Sequence, residues 1–226
     1  MTTLCIRVDH VSKIYAGHAI PVPAVREATF SCHSGTVTAI MGPSGSGKTT
    51  LLSILGLLLK ATSGRVTIMG NDVTNLSEKQ LPTLRRTHIG FIFQSFNLFS
   101  ALTVLENVLL SLQLHQVPKA QAFELAHAAL ERVNLAGRTT FYPRDLSGGE
   151  KQRVSIARAI AADVPIILAD EPTANLDSKT GLGIIALLHE LATVQGKTVV
   201  VVSHDLRITE QVNQVLWMED GVIHAD

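Results

Sequence analysis

The sequence predicts an α/β domain built on a mainly parallel central sheet with a helical insertion, and three observations predict it. Short β-branched runs recur at Val37–Met41, Arg65–Met69, Ile89–Phe93, Ile166–Ala169 and Thr198–Val202, separated in places by helically spaced apolar positions. The runs IILA and TVVVV are apolar at every position, as strands covered on both faces should be, so they belong at the centre of a sheet. A glycine-rich loop, GPSGSGKT from Gly42 to Thr49, joins the run TVTAIM to TLLSILGLL, giving a strand–loop–helix unit.

Taken in order, the chain opens MTTLCIRVDH, with Arg7 and Asp9 where a signal peptide needs an apolar stretch. This argues against secretion and against a lipoprotein cleavage site at Leu4-Cys5. Cys5 and Cys32 form no C-x-x-C pair and suggest neither a zinc site nor a disulfide framework, which fits a reducing cytosol. The longest apolar run, Leu51–Leu59, is half the roughly 20 residues that span a membrane and is closed by Lys60, so it reads as a buried helix. Between Phe96 and Ala162 the character changes: Leu102–Leu114 and Ala120–Val133 have helical spacing, punctuated by Pro118 and Gly137. The expected division is a core with its β part over residues 1–94 and 161–226 and a helical subdomain over 95–160. The chain closes with LWMEDGVIHAD, a short hairpin turning at Asp220-Gly221.

With 226 residues, 46% of them hydrophobic, the sequence suits one well-buried domain. Nineteen basic residues balance nineteen acidic ones, so no overall field exists to hold nucleic acid by charge alone.

Chemistry concentrates in five places. In Gly42–Thr49 (Gly42, Pro43, Ser44, Gly45, Ser46, Gly47, Lys48, Thr49), the pattern G-x-x-x-x-G-K-[ST] lets glycines Gly42, Gly45 and Gly47 wrap a triphosphate while the following helix offers free N–H groups. Lys48 would neutralise β/γ oxygens, Thr49 ligate Mg²⁺ and Thr50 reach the α-phosphate. The buried run IILADE ends in two carboxylates, Asp170 for the metal and Glu171 for polarising water. Gln94 closes the strand GFIF, where a long amide reaches Mg²⁺ and the attacking water, and His204 ends VVVVS at the carboxyl edge of the sheet, where an imidazole can bond a γ-phosphate. The stretch LSGGEKQR supplies a second phosphate-binding helix start at Ser147, Gly148 and Gly149. One ATP does not need both from the same chain. The economical solution is a head-to-tail pair with two-fold symmetry, each ATP lying between the loop of one subunit and the LSGGE helix of the other.

Over essentially its whole length the chain resembles the ATP-binding cassette family. The resemblance implies a P-loop NTPase fold with a RecA-like core, an N-terminal antiparallel β part and an inserted helical subdomain. It assigns Gly42–Thr49 to Walker A, Ile166–Glu171 to Walker B and LSGGE to the signature. It also places Gln94 in the Q-loop, Asp177 of ANLD in the D-loop and His204 in the switch loop, with Tyr15 where an adenine-stacking aromatic is expected. The signature carries Glu150 where Gln is common, an acid that must point away from phosphate while complementing the helix N-terminus.

What the family does implies ATP and Mg²⁺ as ligands, ATP hydrolysis, and a homodimer in the ATP state. It further implies an integral membrane permease, with the chain peripheral on the cytoplasmic side of the inner membrane. The wording RRTHIGFIFQSFNL, LTVLENV, YPRDLSGGEKQRVSIARA and LADEPTANLD is most similar to the branch serving lipoprotein release, macrolide and peptide export and the related cell-division ATPase. That branch implies a four-span permease and a periplasmic adaptor, and export, extraction or mechanotransmission. The aromatic-rich segment Phe91–Val108 offers Phe96, Leu98 and Phe99 as anchors for a permease helix. The alternatives are a regulatory ATPase of the cell-division type that gates a partner without carrying anything, and a soluble cassette acting on ribosomes or DNA. The latter is disfavoured by the neutral charge and by the single cassette.

Overall fold

The computed structural model describes residues 3–16 and 21–225. Strands β1 (Leu4–Tyr15) and β2 (Val22–His33) run antiparallel, and β1 also pairs antiparallel with β4 (Ser63–Ile68), which pairs with the two-residue β5 (Asn71–Asp72). These make a four-stranded sheet in the order β2-β1-β4-β5. The run Arg65–Met69, predicted for the parallel sheet, therefore lies in the antiparallel one. Its alternating burial, exposed at Arg65 and buried at Val66 and Ile68, is the pattern of a strand covered on one face, and Met69 turns out of it at φ 48°.

The second sheet has six strands: β3 (Val37–Met41), β6 (Ile89–Ile92), β7 (Ile166–Asp170), β8 (Thr198–Ser203), β9 (Gln214–Glu219) and β10 (Val222–Ala225). Their order is β10-β9-β3-β8-β7-β6, parallel except for the terminal hairpin β9–β10. Its turn puts Asp220 at φ 47° and Gly221 at φ 83°, as a two-residue turn with both residues left-handed requires.

Two hydrophobic clusters explain why the central strands are apolar throughout. Ala39, Met41, Ile167, Ala169, Val199 and Val201 enter one cluster, whereas Ile40, Ile166, Leu168, Val200 and Val202 enter the other. Alternate side chains thus serve opposite faces. The first face is covered by α3 (Val104–Leu114), α4 (Lys119–Arg132), α5 (Gly148–Ile160) and α6 (Ser178–Thr193). The second is covered by α1 (Lys48–Leu55) and the antiparallel sheet, and holds the two free cysteines, Cys5 and Cys32; burial pushes the Cys32 thiol up to about 12.

Helix α1 is shorter than its apolar run. It ends at Leu55, Gly56 caps it by donating its N–H to Leu52 O at 2.8 Å, and Leu57 turns left-handed at φ 56°. Leu58 is thereby half exposed rather than buried. A Cβ on Gly56 would stand 2.7 Å from the Phe91 ring, so glycine here lets the helix end press on β6. Between α1 and the helical insertion lies α2 (Leu81–His88). Among the described residues no helix is long and apolar enough to cross a membrane.

Helix α3 starts with a reciprocal cap, Thr103 accepting from the Glu106 N–H and Glu106 from the Thr103 N–H, and its buried Asn107 ties the preceding loop by bonds to Phe99, Leu102 and Thr103.

Candidate active site

Strand β3 is buried at all five positions and delivers the chain at the carboxyl edge of the sheet into Gly42. There the glycines are demanded by the chain itself. Gly42 has φ 149° and a Cβ on it would sit 2.0 Å from the Met218 carbonyl oxygen; Gly47 has φ 104° and a Cβ would sit 2.0 Å from that of Ala24. The loop is therefore gripped between β9 and β2. The hairpin turn completes the grip, since the Gly221 N–H donates to Ser46 O at 3.0 Å and the Arg26 N–H to Gly221 O at 2.7 Å. Pro43, Ser44 and Gly45 are exposed at the rim, while Ser46 is buried beneath.

Helix α1 starts from left-handed Gly47 without any side-chain cap, so its first N–H groups point into the loop with no side chain satisfying them. Lys48 is buried and donates to the carbonyls of Gly42 and Pro43 at 2.8 and 2.7 Å. Burial pulls its pKa down, against the opposing pull of Glu171 and Asp170. An ammonium held this way is poised for an anion entering the same loop.

The two carboxylates leave β7 in different directions. Asp170 Oδ1 accepts from Thr49 Oγ1 at 3.1 Å, and desolvation raises its pKa, offset in part by that hydrogen bond. Glu171 adopts φ 45°, a strained conformation for a residue with a side chain, and its N–H is tied to Val202 O at 2.9 Å. Its Oε1 lies 2.9 Å from His204 Nδ1, while Oε2 is buried with no protein partner. An orphaned carboxylate oxygen beside a polar cleft can take a water proton.

One cleft of about 280 Å³, lined mainly by polar surface, gathers these groups: Ser44, Gly45, Gly47, Lys48, Thr49 and Thr50 from the loop and helix, with Gln94, Glu171, His204 and Ala24. Gln94 follows β6, and its carbonyl accepts from Asn175 at 3.2 Å. Tyr15 stands nearby, its hydroxyl 3.4 Å from Thr50 Oγ1 and its ring exposed.

Ser147, Gly148, Gly149 and Asp177 lie elsewhere. They line a separate cavity of about 300 Å³ that shares no residue with the first. Ser147 caps α5 and Asp177 caps α6, where it accepts from the Thr180 N–H at 3.0 Å. Glu150 bends back into a capping box, accepting from the Ser147 N–H and Oγ, each at 2.9 Å. These bonds, with Arg138 Nε at 3.0 Å, hold its pKa below the usual carboxylate range. The pattern Ser147-x-x-Glu150 carries that signal in the sequence. No local pattern announces Arg138, Ala24 or Arg158: Ala24 brings its backbone to the loop, Arg138 reaches Glu150 across twelve residues, and Arg158 donates to Phe96 O and Asn97 O across 62 and 61. Of the three proposed anchors, Phe99 is exposed, Leu98 packs on the first cluster, and Phe96 turns at φ 61° to present its carbonyl to Arg158.

Residues 25–174 match the family model "ABC transporter". An uncharacterized ABC transporter ATP-binding protein of Thermotoga maritima is 45% identical over 215 residues, covering 95% of this chain and 92% of that protein. The macrolide export ATP-binding/permease protein MacB of Escherichia coli K12 is 41% identical over 223 residues, covering 99% of this chain but 34% of its own length. The chain thus spans about a third of the MacB proteins it matches. Among solved structures, the dimeric ATP-binding cassette MJ0796, in a post-hydrolysis state bound to ADP and Pi, superposes with a TM-score of 0.90 at 40% identity over 97% of this chain and 96% of that one. The cassette cbiO1 of Clostridium perfringens, part of the transporter complex cbiONQ, gives 0.87 at 28% identity over 98% of this chain and 87% of that one. With its phosphate loop, its paired carboxylates and these relatives, the chain belongs to the ABC transporter ATP-binding family and is an ATPase cassette of that family.

Proposed function

We propose that two copies of this chain close head to tail over two ATP molecules and pass the closure to a membrane permease. The observation that carries this is the separation of the two polar cavities, which have no residue in common. A site split between copies uses both. The dimeric state of the similar cassette MJ0796 supports it.

ATP as substrate fits the first cleft. Gly42, Pro43, Ser44, Gly45, Ser46 and Gly47 wrap the phosphates with backbone, Lys48 neutralises them, and Thr50 meets the α-phosphate, with Tyr15 against the base. Glu171 takes the water proton on Oε2, His204 and Gln94 hold the γ-phosphate and the water in line, and the partner copy closes the site with its own Ser147–Gly149 helix start and Asp177 loop. The orphaned Glu171 Oε2 and the uncapped N–H groups of α1 are the unsatisfied groups such a ligand would meet.

A Mg²⁺ ion fits the pair Thr49 Oγ1 and Asp170 Oδ1, hard oxygen donors 3.1 Å apart, with Gln94 at the same cleft. Among the described residues no cluster of three metal-ligating side chains exists, and a cation held chiefly by phosphates and one carboxylate needs none. Such an ion would offset negative charge on the transferring phosphoryl oxygens.

The partner is an integral membrane permease of the four-span type with a periplasmic adaptor, and the chain itself lies peripherally on the cytoplasmic side of the inner membrane. The chain would drive export, extraction or mechanotransmission through it; the similarity to MacB favours this class. Its docking surface is the groove of about 320 Å³ between β6 and α3, mainly apolar and lined by Phe91, Phe93, Phe99, Leu110 and Leu114. At its floor Arg158 has no carboxylate among the described residues, and His115 Nε2 is buried without a partner, so the occupant is an apolar helix carrying an acid. Phosphate release with the candidate permease in detergent or nanodiscs tests this. Phe99→Arg should leave turnover of the free chain within about two-fold while removing stimulation by the permease; equal stimulation of both proteins would exclude the groove.

A further inference from the structure

We propose that Arg138 is a positioning residue for the signature helix: by pairing with Glu150 it cancels a carboxylate at the mouth of the second cavity, so that a partner's triphosphate can approach Ser147. The inference rests on the shared-site reading above.

Two contacts hold Arg138. Its Nε donates to Glu150 Oε1 at 3.0 Å, and its guanidinium lies 4.7 Å from the centre of the Phe141 ring. Phe141 in turn packs on the first cluster and accepts the Val104 N–H at 2.8 Å, which anchors this segment to the start of α3. Arg138, though half exposed, is therefore restrained beside the start of α5 by two contacts.

Glu150 needs that partner. In the free chain its carboxylate completes the capping box on Ser147, which suits the positive end of α5. When a triphosphate arrives at the same helix start, the same charge opposes it. The second cavity also contains Asp177, so two carboxylates face one guanidinium, that of Arg153, until Arg138 is counted. Arg138 brings the balance to two against two.

Ser147 feels the pair directly. Its Oγ lies 2.9 Å from Glu150 Oε2 and accepts from the Glu150 N–H at 3.3 Å, so its hydroxyl proton is directed at the carboxylate. To donate to a phosphate oxygen the hydroxyl must turn away. A carboxylate already sharing its charge with Arg138 lets go of that proton more readily than a lone one.

The prediction is a suppression. In the Glu171→Gln background, which should retain ATP, the Mg-ATP concentration for half-maximal dimerisation is read by light scattering. Arg138→Gln keeps much of the stem over Phe141 and should raise that concentration about ten-fold, an effect that shrinks with added salt. Glu150→Gln preserves the cap, because Gln also serves in a capping box, and should stay within about three-fold of the parent. The double variant should match Glu150→Gln alone, since removing the carboxylate removes the need for the arginine. An Arg138→Gln protein that dimerises like the parent, or a double variant as weak as Arg138→Gln, would overturn the proposal, the latter by showing that Arg138 acts through packing. Ser147→Arg separates the two levels: if it abolishes dimerisation while Arg138→Gln does nothing, only the role of Arg138 falls; if the parent never dimerises, the shared site falls and this role with it.

Discussion

The loop Gly42–Thr49 and the helix start Ser147–Gly149 are both glycine-rich, yet the chain needs their glycines for different reasons. Gly42 and Gly47 occupy left-handed or related conformations with a carbonyl oxygen 2.0 Å from where a Cβ would stand. Gly148 and Gly149 are helical residues; a Cβ on Gly148 would make only ordinary contact, 3.4 Å from Asn175 O, whereas one on Gly149 would stand 2.6 Å from the Thr180 methyl, where α5 meets α6. The first site is thus a strained device braced by β2, β9 and the C-terminal hairpin, all of its own chain. The second is a reciprocally capped helix end of ordinary helical geometry, whose Gly149 lets it pack on Thr180 of α6 and whose Ser147 and Gly148 line an open cavity. Gly148, which the chain's own packing does not require, is the position that points to a second molecule.

The widest separation between the two regions should appear in stability. Gly47→Ala combines a clash with an unfavourable φ and should cost on the order of 3 kcal/mol or more in urea unfolding, with loss of ATP binding. Gly148→Ala should stay within about 1 kcal/mol of the parent, since Ala suits a helix better than Gly, and yet weaken ATP-dependent association. Similar losses of stability in both would erase the distinction.

Next in size, Glu171→Gln should lower hydrolysis about 10²-fold or more, with nucleotide binding retained in a filter or fluorescence assay. A smaller effect belongs to the base end of the first site: Tyr15→Ala should raise KM for ATP about five-fold, and Tyr15→Trp should restore it, if the ring stacks on adenine.

Smallest is the acid response of the two capping boxes. Hydrogen bonds from Thr103 and Ser147 hold Glu106 and Glu150 below an ordinary pKa of 4.5. The folded-state values are depressed, so the stability these carboxylates contribute is present above pH 4.5 and fades as pH falls through the lowered values. Unfolding midpoints of Glu150→Gln should therefore lose part of the parent's decline below that pH. An unchanged decline would mean that Glu150 is not held this way in solution.

Most of the architecture could be read from local patterns because its causes are local. The all-apolar runs at Ile166–Ala169 and Thr198–Val202 lie in the parallel sheet for the reason their composition suggests, and α3 and α4 begin and end within two residues of their predicted bounds. The misassigned run, Arg65–Met69, is short and β-branched like the others; only its pairing with β1, more than fifty residues earlier in the chain, tells it apart. Leu51–Leu59 looked continuous because Gly56 is one residue in nine, whereas the ring of Phe91 and the left-handed Leu57 end the helix there. At the site, the pattern announced Lys48, Asp170 and Glu171. It did not announce that Met218, Ala24 and Gly221 brace the loop, or that Arg138 reaches Glu150, because those contacts are made by residues chosen by the fold.

The measurement that bears most directly on the shared site is the mass in solution of the Glu171→Gln protein with and without Mg-ATP. A monomer is expected without nucleotide and a dimer with it, reverting to monomer when Ser147→Arg is added. A Glu171→Gln protein that binds ATP and remains monomeric at millimolar concentrations, or a dimer indifferent to Ser147→Arg, would contradict the shared site.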